Sequence, residues 1–324
     1  MGTLMTGLDP HFDDVQAHYD LSDEFFALFL DPTRTYSCAY FERDGMTLEQ
    51  AQLAKIDLSL GKLDLKPGMT LLDVGCGWGT TMLRALERYD VHVIGLTLSK
   101  NQYETVGRRL EESPSGRSAE VRLQGWEEFD GPVDAIVSIG AFEHFTHERH
   151  LAFFDRAFDI LPAGGRAMIH TIMTLGMDTF RGASRVTRAD FDFFRFIRTE
   201  IFPGGELPIT RYFPLLAEMG GFDVTQVQSL QPHYAKTLDI WAANLEAARE
   251  RALAIHPESV YDTYMRYLTG CADAFHRGLI DVRQHTLVKP AHGGRHRSLE
   301  EVLEMHPEID ATAGTTAARF IPSR

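Results

Sequence analysis

The stretch Thr70–Thr81, read as TLLDVGCGWGTT, narrows the folds open to this chain more than any other. Thr70 to Val74 is a short apolar run that carries one acid, Asp73, which suits a buried strand. Gly75, Gly77 and Gly79 follow at alternate positions, and helical spacing resumes from Met82 to Tyr89. Glycine lets the backbone turn sharply and lie close against a ligand. Strand, glycine turn and helix N-terminus together predict a nucleotide-binding corner of an open α/β sheet. A dinucleotide corner reads G-x-G-x-x-G with a later acid for the ribose; here G-x-G-x-G follows directly on Asp73-Val74. A purely structural turn is the competing reading, but three glycines so closely spaced are costly unless a ligand approaches.

The 324 residues, 44% of them hydrophobic, allow one α/β domain with insertions and a sizeable core. A net charge of −14 argues against nucleic acid and against electrostatic binding to anionic membranes. No charged-then-apolar leader and no run of about 18 apolar residues is read, so stable membrane insertion is not expected and a cytoplasmic location is. Cys38, Cys76 and Cys271 lie far apart, suggesting neither disulfides nor a metal site.

Along the chain, Ser22 is read as the N-cap of a helix ended by Asp31-Pro32, and Thr47 with Gln50 as the capping box of a longer one. Residues 1–69 thus form a helical preface packed on the first strand. Further strands are expected at Val91–Leu96, Val121–Gln124, Asp134–Ile139 and Arg166–Thr171, with two late ones at Phe222–Leu230 and Val282–Val288. The pattern is that of a seven-stranded, doubly wound Rossmann-like sheet over residues 70–289. After the second strand, Thr97-Leu98-Ser99-Lys100-Asn101-Gln102 stands where an acid often holds a ribose; its hydroxyl and amide groups could do that work, or form a plain helix cap. Trp126-Glu127 after the third strand could cover and hydrogen-bond an adenine, or be core packing and a surface charge. Glu143 and His144 sit at the carboxyl edge of the fourth strand, where open sheets bind ligands, and His170 lies near the exit of the fifth. Residues 174–208 interrupt the pattern with Phe180, Phe191, Phe193, Phe194, Phe196, Ile197, Ile201 and Phe202. They read either as a helix covering the sheet edge or as an apolar lid over a long hydrocarbon. Residues 290–324 read as a mobile tail with one short helix near Leu299 to Met305.

Taken together these segments resemble the cyclopropane fatty acid and mycolic acid synthase family of S-adenosylmethionine (SAM)-dependent methyltransferases, nearest the mycobacterial cyclopropane mycolic acid synthases. The glycine corner resembles their motif I. The other matching pieces are HYDLSDEFF (His18 to Phe26), TYSCAYFERD (Thr35 to Asp44), GLTLSKNQ (Gly95 to Gln102), GWEEFD (Gly125 to Asp130) and SIGAFEHF (Ser138 to Phe145). EIFPGG (Glu200 to Gly205), SLQPHYAKTL (Ser229 to Leu238) and YLTGC (Tyr267 to Cys271) complete the set. Residues 174–190 match poorly and the tail has no counterpart. The phospholipid-acting relatives carry an extra N-terminal domain for which this chain leaves no room, so the mycolic branch is expected.

The resemblance implies SAM contacts from Tyr36, Ser37, Asp73, Gly75, Cys76, Gly77, the Thr97–Gln102 segment (Thr97, Leu98, Ser99, Lys100, Asn101, Gln102) and Trp126-Glu127. It implies a bicarbonate ion held by Cys38 and Ile139 through backbone and by Glu143, His170 and Tyr234. Cys271 matches a cysteine sometimes placed in the active site, although alkene methylation needs no thiolate. The implied reaction is methyl transfer to a cis double bond of a long acyl chain, followed by ring closure. Water capture to a hydroxylated, methyl-branched product, or a silent SAM- and lipid-binding protein, are the alternatives. The acyl chain is expected on an acyl carrier protein, met by Arg181, Arg185 and Arg188. Valine at Gly75 is expected to abolish SAM binding in a folded protein. Oligomeric state stays open.

Overall fold

The computed structural model describes Leu8 and residues 22–175, 186–292 and 294–306. The calls on Phe180, Arg181 and Arg185, and on the tail from residue 307, lie outside these residues, as does His18–Leu21 of the first matching segment. Seven strands form one sheet: β1 Thr70–Val74, β2 His92–Thr97, β3 Ala119–Leu123, β4 Ala135–Ile139, β5 Arg166–Thr174, β6 Asp223–Ser229 and β7 Ile280–Val288. Their order is β3-β2-β1-β4-β5-β7-β6. All pairs are parallel except those of β7, which runs antiparallel to β5 and β6. The seven-stranded, doubly wound sheet expected from the strand pattern is thus what forms. β1 and β4 are parallel neighbours from which the strand order runs outward in opposite directions, so their carboxyl ends open a crevice, the usual ligand position in such sheets.

Local chemistry sets the element boundaries. Ser22 accepts the Phe25 N–H and starts the one-turn helix α1 Asp23–Phe26. Thr47 and Gln50 make a complete capping box at the start of α2 Leu48–Gly61. The glycine turn leads to α3 Thr80–Tyr89, and Ser99 caps α4 Lys100–Glu111. Next come α5 His147–Ile160, α6 Arg188–Phe196, a π-helical turn Ile197–Ile201 and α7 Phe213–Met219. The order ends with α8 Gln231–Ala247, α9 Arg249–Ile255, α10 Glu258–His276 and α11 Leu299–Met305.

The preface does not simply back onto β1. Phe25, Phe26 and Phe29 are fully buried and meet Tyr264 of α10 edge-on or tilted, with Trp241 of α8 against Phe29. Each such ring is worth roughly 1.5–3 kcal/mol of apolar burial. This holds the Thr35–Phe41 loop over the sheet's carboxyl edge. Residues 294–306, expected as part of a mobile tail, instead pack on α7: Val302 is fully buried, Arg297 N–H donates to the Met219 carbonyl, and His306 pairs with Glu218 at 2.6 Å.

Candidate active site

Two cavities meet at the carboxyl edge of the sheet. The first encloses about 1090 Å³, its open mouth included. Tyr36, Ser37, Asp73, Gly75, Cys76, Gly77, Thr97, Leu98, Gln102, Trp126, Glu127 and Ile139 line it. Gly75 has φ +80°, and a β-carbon there would stand 2.4 Å from Ala141 Cβ. A valine at Gly75 therefore clashes with the fold itself, which corrects the expectation of a well-folded binding-dead variant. Gly77, at φ +55°, faces open space instead, so its missing side chain keeps room for a ligand. Thr97 donates to Gln102 Oε1 at 2.8 Å, joining the strand end to the first turn of α4. Ser99, Lys100 and Asn101 do not line this cavity: Ser99 spends its hydroxyl on the helix cap, and Asn101 donates to Asp23 Oδ1 at 2.6 Å. Glu127 pairs with Arg149 of α5, and Trp126 packs on Phe145 and Phe153 with ring centroids 5.4 Å apart in each case.

The second cavity, about 1950 Å³ with its mouth, is lined mainly by apolar groups. Cys38, Glu143, His170, Tyr234 and Cys271 are all on its wall, and Tyr36, Ser37, Gly140 and His144 border both cavities. Ile139 borders only the first. Val186, Phe191, Phe194, Ile197, Phe202 and Leu207 supply the apolar side, while Phe196 and Ile201 are buried in the adjoining core with Phe193 packed against it. The π-helical turn, a feature common at functional sites, sets Phe202 against both His144 and Tyr267.

Electrostatics mark the polar end of this channel. Glu143 Oε1 accepts the Ile172 N–H at 2.7 Å, while Oε2 is buried with no protein partner. Burial raises its carboxyl to about 7. His170 Nε2 is likewise buried and without a protein partner, and burial, then Lys55 and Lys62, hold the ring neutral. Burial and the neighbouring Cys38, Tyr36, Glu143 and Cys271 push the Tyr234 phenol well above its usual range, so Tyr234 sits among them. The Cys38 thiol is raised by burial too, and donates to the Ala39 carbonyl at 3.1 Å. Burial raises the Cys271 thiol to about 12, which disfavours the thiolate form. A monoprotonated oxyanion fits this wall: it offers an O–H to Glu143 Oε2 and lone pairs to ring and phenol donors, satisfying atoms that would otherwise stay unpaired. Bicarbonate belongs to that class.

Sequence reading missed the polar row on the buried face of α2. Gln52 Nε2 donates to the carbonyls of Thr35 and Ser37 at 3.1 and 2.7 Å. Lys55, 1% exposed, donates to Ser37 Oγ at 2.7 Å and lines the first cavity. Burial lowers it to about 8. The signal was present: Gln52, Lys55, Ser59 and Lys62 recur at helical spacing on a face that also carries Ile56, Leu60 and Leu63. Among the described residues no group of three or more His, Cys, Asp or Glu side chains could hold a metal.

Comparison with known proteins identifies the family of the chain. The model of the mycolic acid cyclopropane synthetase family matches residues 6–285. Cyclopropane mycolic acid synthase 1 of Mycobacterium tuberculosis is 60% identical over 285 residues, 87% of this chain and 99% of that protein. Cyclopropane mycolic acid synthase 3 of the same organism is 58% identical over 284 residues, 87% of this chain and 99% of that protein. The solved cyclopropane synthase CmaA1, in complex with SAH and CTAB, superposes with a TM-score of 0.86 at 60% identity, covering 87% of this chain and 99% of that one. The chain belongs to the mycolic acid cyclopropane synthetase family.

Proposed function

We propose that this chain is a cyclopropane mycolic acid synthase: it transfers the SAM methyl group to a cis double bond of a long acyl chain and closes a cyclopropane ring. As a member of the family it is a SAM-dependent methyltransferase. One observation supports the finer reading most: a polar cavity behind a glycine turn opens beside a large apolar one, with unpartnered Glu143 Oε2 and His170 Nε2 on the apolar cavity's wall.

In the reaction, the alkene π electrons form a bond to the methyl carbon while the S–CH₃ bond breaks, leaving S-adenosylhomocysteine (SAH). A cation remains on the acyl chain. Loss of a proton from the new methyl group frees the electron pair that closes the ring. The glycine turn and Gln102 hold the nucleoside, and the apolar channel lays the acyl chain across the junction and keeps water from the cation. Tyr36 and Tyr267 line the channel, and their rings supply electron-rich groups beside the cation in this proposal. Glu143, His170, Tyr234 and the backbone of Cys38 and Ile139 would hold bicarbonate, which when bound supplies a proton acceptor. Their part is to orient it electrostatically rather than to take the proton themselves.

The water-capture outcome is disfavoured by the apolar wall, and a silent binding protein has no use for a buried, unpaired carboxyl. The acyl chain is presented on an acidic acyl carrier protein in this proposal. Arg195 and Arg198 line the channel beside Phe191, which is 51% exposed, and Arg188 starts the same helix. A cytoplasmic site of action is likewise part of the proposal; no described helix is long and apolar enough to cross a membrane. The test is mass spectrometry and proton NMR of lipids from cells expressing the chain. A gain of one methylene with the high-field signals of a cyclopropane is expected; unchanged lipids, or a branched alcohol, would refute ring formation.

A further inference from the structure

Behind the second cavity a polar row crosses three strands. Gln284 on β7 is the register partner of His170 on β5 and of Gln228 on β6. Lys62, at the C-cap of α2 and 9% exposed, reaches this row: its ammonium donates to Gln284 Oε1 at 2.6 Å and to Gln228 Oε1 at 2.7 Å. An ammonium has donors only, so Gln284 must turn its carbonyl oxygen toward it. The amide nitrogen then faces the other way, 2.9 Å from Ser59 Oγ and 3.3 Å from His170 Nδ1. Ser59 gives its own proton to the Lys55 carbonyl at 2.7 Å, which leaves its oxygen to accept. Reversing Gln284 would set its amide hydrogens against the ammonium. The two bonds that link Lys62 to the histidine through Gln284 therefore run in one direction, from the ammonium to the ring.

At the end of the row His170 Nδ1 can only accept. A neutral ring then carries its proton on Nε2, the atom that is buried without a protein partner on a residue of the cavity wall. We propose that Lys62 and Gln284 are positioning residues: they fix His170 in the Nε2–H tautomer, so that the cavity meets a hydrogen-bond donor there and not a lone pair. This is the form an oxyanion needs. The inference rests on the proposed anion-holding role of the pocket and names what prepares the pocket for it. Neither Lys62 nor Gln284 touches the cavity.

The tautomer can be read directly. In protein labelled with ¹⁵N-histidine, long-range proton–nitrogen correlation separates bare from protonated ring nitrogens, and the His170→Asn spectrum assigns the His170 signals. The wild-type ring should show Nε2–H. Gln284→Glu keeps the size and still accepts from Lys62, but has no N–H for His170. The ring should then move its proton to Nδ1, and ring formation should fall by about 10- to 100-fold, a range typical for removed supporting partners, while SAH affinity holds. If that variant does not fold, Lys62→Met frees the amide to rotate and should give mixed tautomers. A wild-type Nδ1–H ring, or a pure Nε2–H ring in either variant, would overturn the proposal. A wild-type Nε2–H ring combined with a rate indifferent to added bicarbonate would uphold the tautomer control and sink the anion reading instead.

Discussion

Glu143 takes the backbone N–H of Ile172 through Oε1 at 2.7 Å, tying the loop after β4 to the strand that carries His170. The other oxygen, Oε2, is buried and unpartnered on a residue of the second cavity's wall. One carboxyl thus links two strands that are adjacent in the sheet but reached through separate parts of the chain.

Glu143→Gln keeps the volume and removes the charge. Ring formation should fall by about 10²–10³, with SAH affinity near wild type because Glu143 does not line the first cavity. Stability carries a second signature. Burial raises the folded pKa from 4.5 to about 7. Between those values the native state binds a proton that the unfolded state has released, so the stability it contributes falls as pH rises through about 7. The melting temperature of the variant relative to wild type should therefore rise from about pH 5 to about pH 7.5. Scanning calorimetry across that range, with product assays at neutral pH, checks both; a pH-independent difference would exclude a carboxyl titrating there.

The glycine turn separates folding from binding. Gly75→Val should lower the melting temperature sharply, since it meets Ala141 at 2.4 Å and is strained at φ +80°. Gly77→Ala should cost only about 1 kcal/mol of backbone strain yet weaken SAH binding measurably in titration calorimetry. Full SAH affinity in a folded Gly77→Ala protein would place the ligand elsewhere.

Cys271→Ala should leave turnover within about threefold of wild type, because a thiol raised to about 12 is not ionised at neutral pH. Iodoacetamide should likewise inhibit slowly or not at all. Rapid inactivation protected by an acyl substrate would restore a reactive role for this cysteine.

At the channel mouth, joint replacement of Arg188, Arg195 and Arg198 by Glu should raise KM for a carrier-bound substrate severalfold, and more at low salt than at high. SAH binding should not change. Equal KM values for wild type and the variant at low ionic strength would argue against an acidic carrier.

The glycine corner, the existence and order of the strands and the caps of α1 and α2 are legible in the sequence because each depends on residues a few positions apart, whereas β5 runs three residues past its expected end to Thr174. Ser22 caps, Thr47 and Gln50 box, and Gly75 turns the chain for reasons local to them. Motif resemblance extends this to the family and to Cys38, Glu143, His170 and Tyr234 as a set. Only the tertiary structure decides what those residues share: β5 and β7 run antiparallel, so His170 meets Gln284, and α2 crosses beneath them to bring Lys62 and Lys55 to the site. Helical periodicity shows that those lysines lie on one face with Ile56 and Leu60. It cannot show that the face is pressed against a polar row, because a buried ammonium is stable only beside partners that the sheet supplies from residues far along the chain.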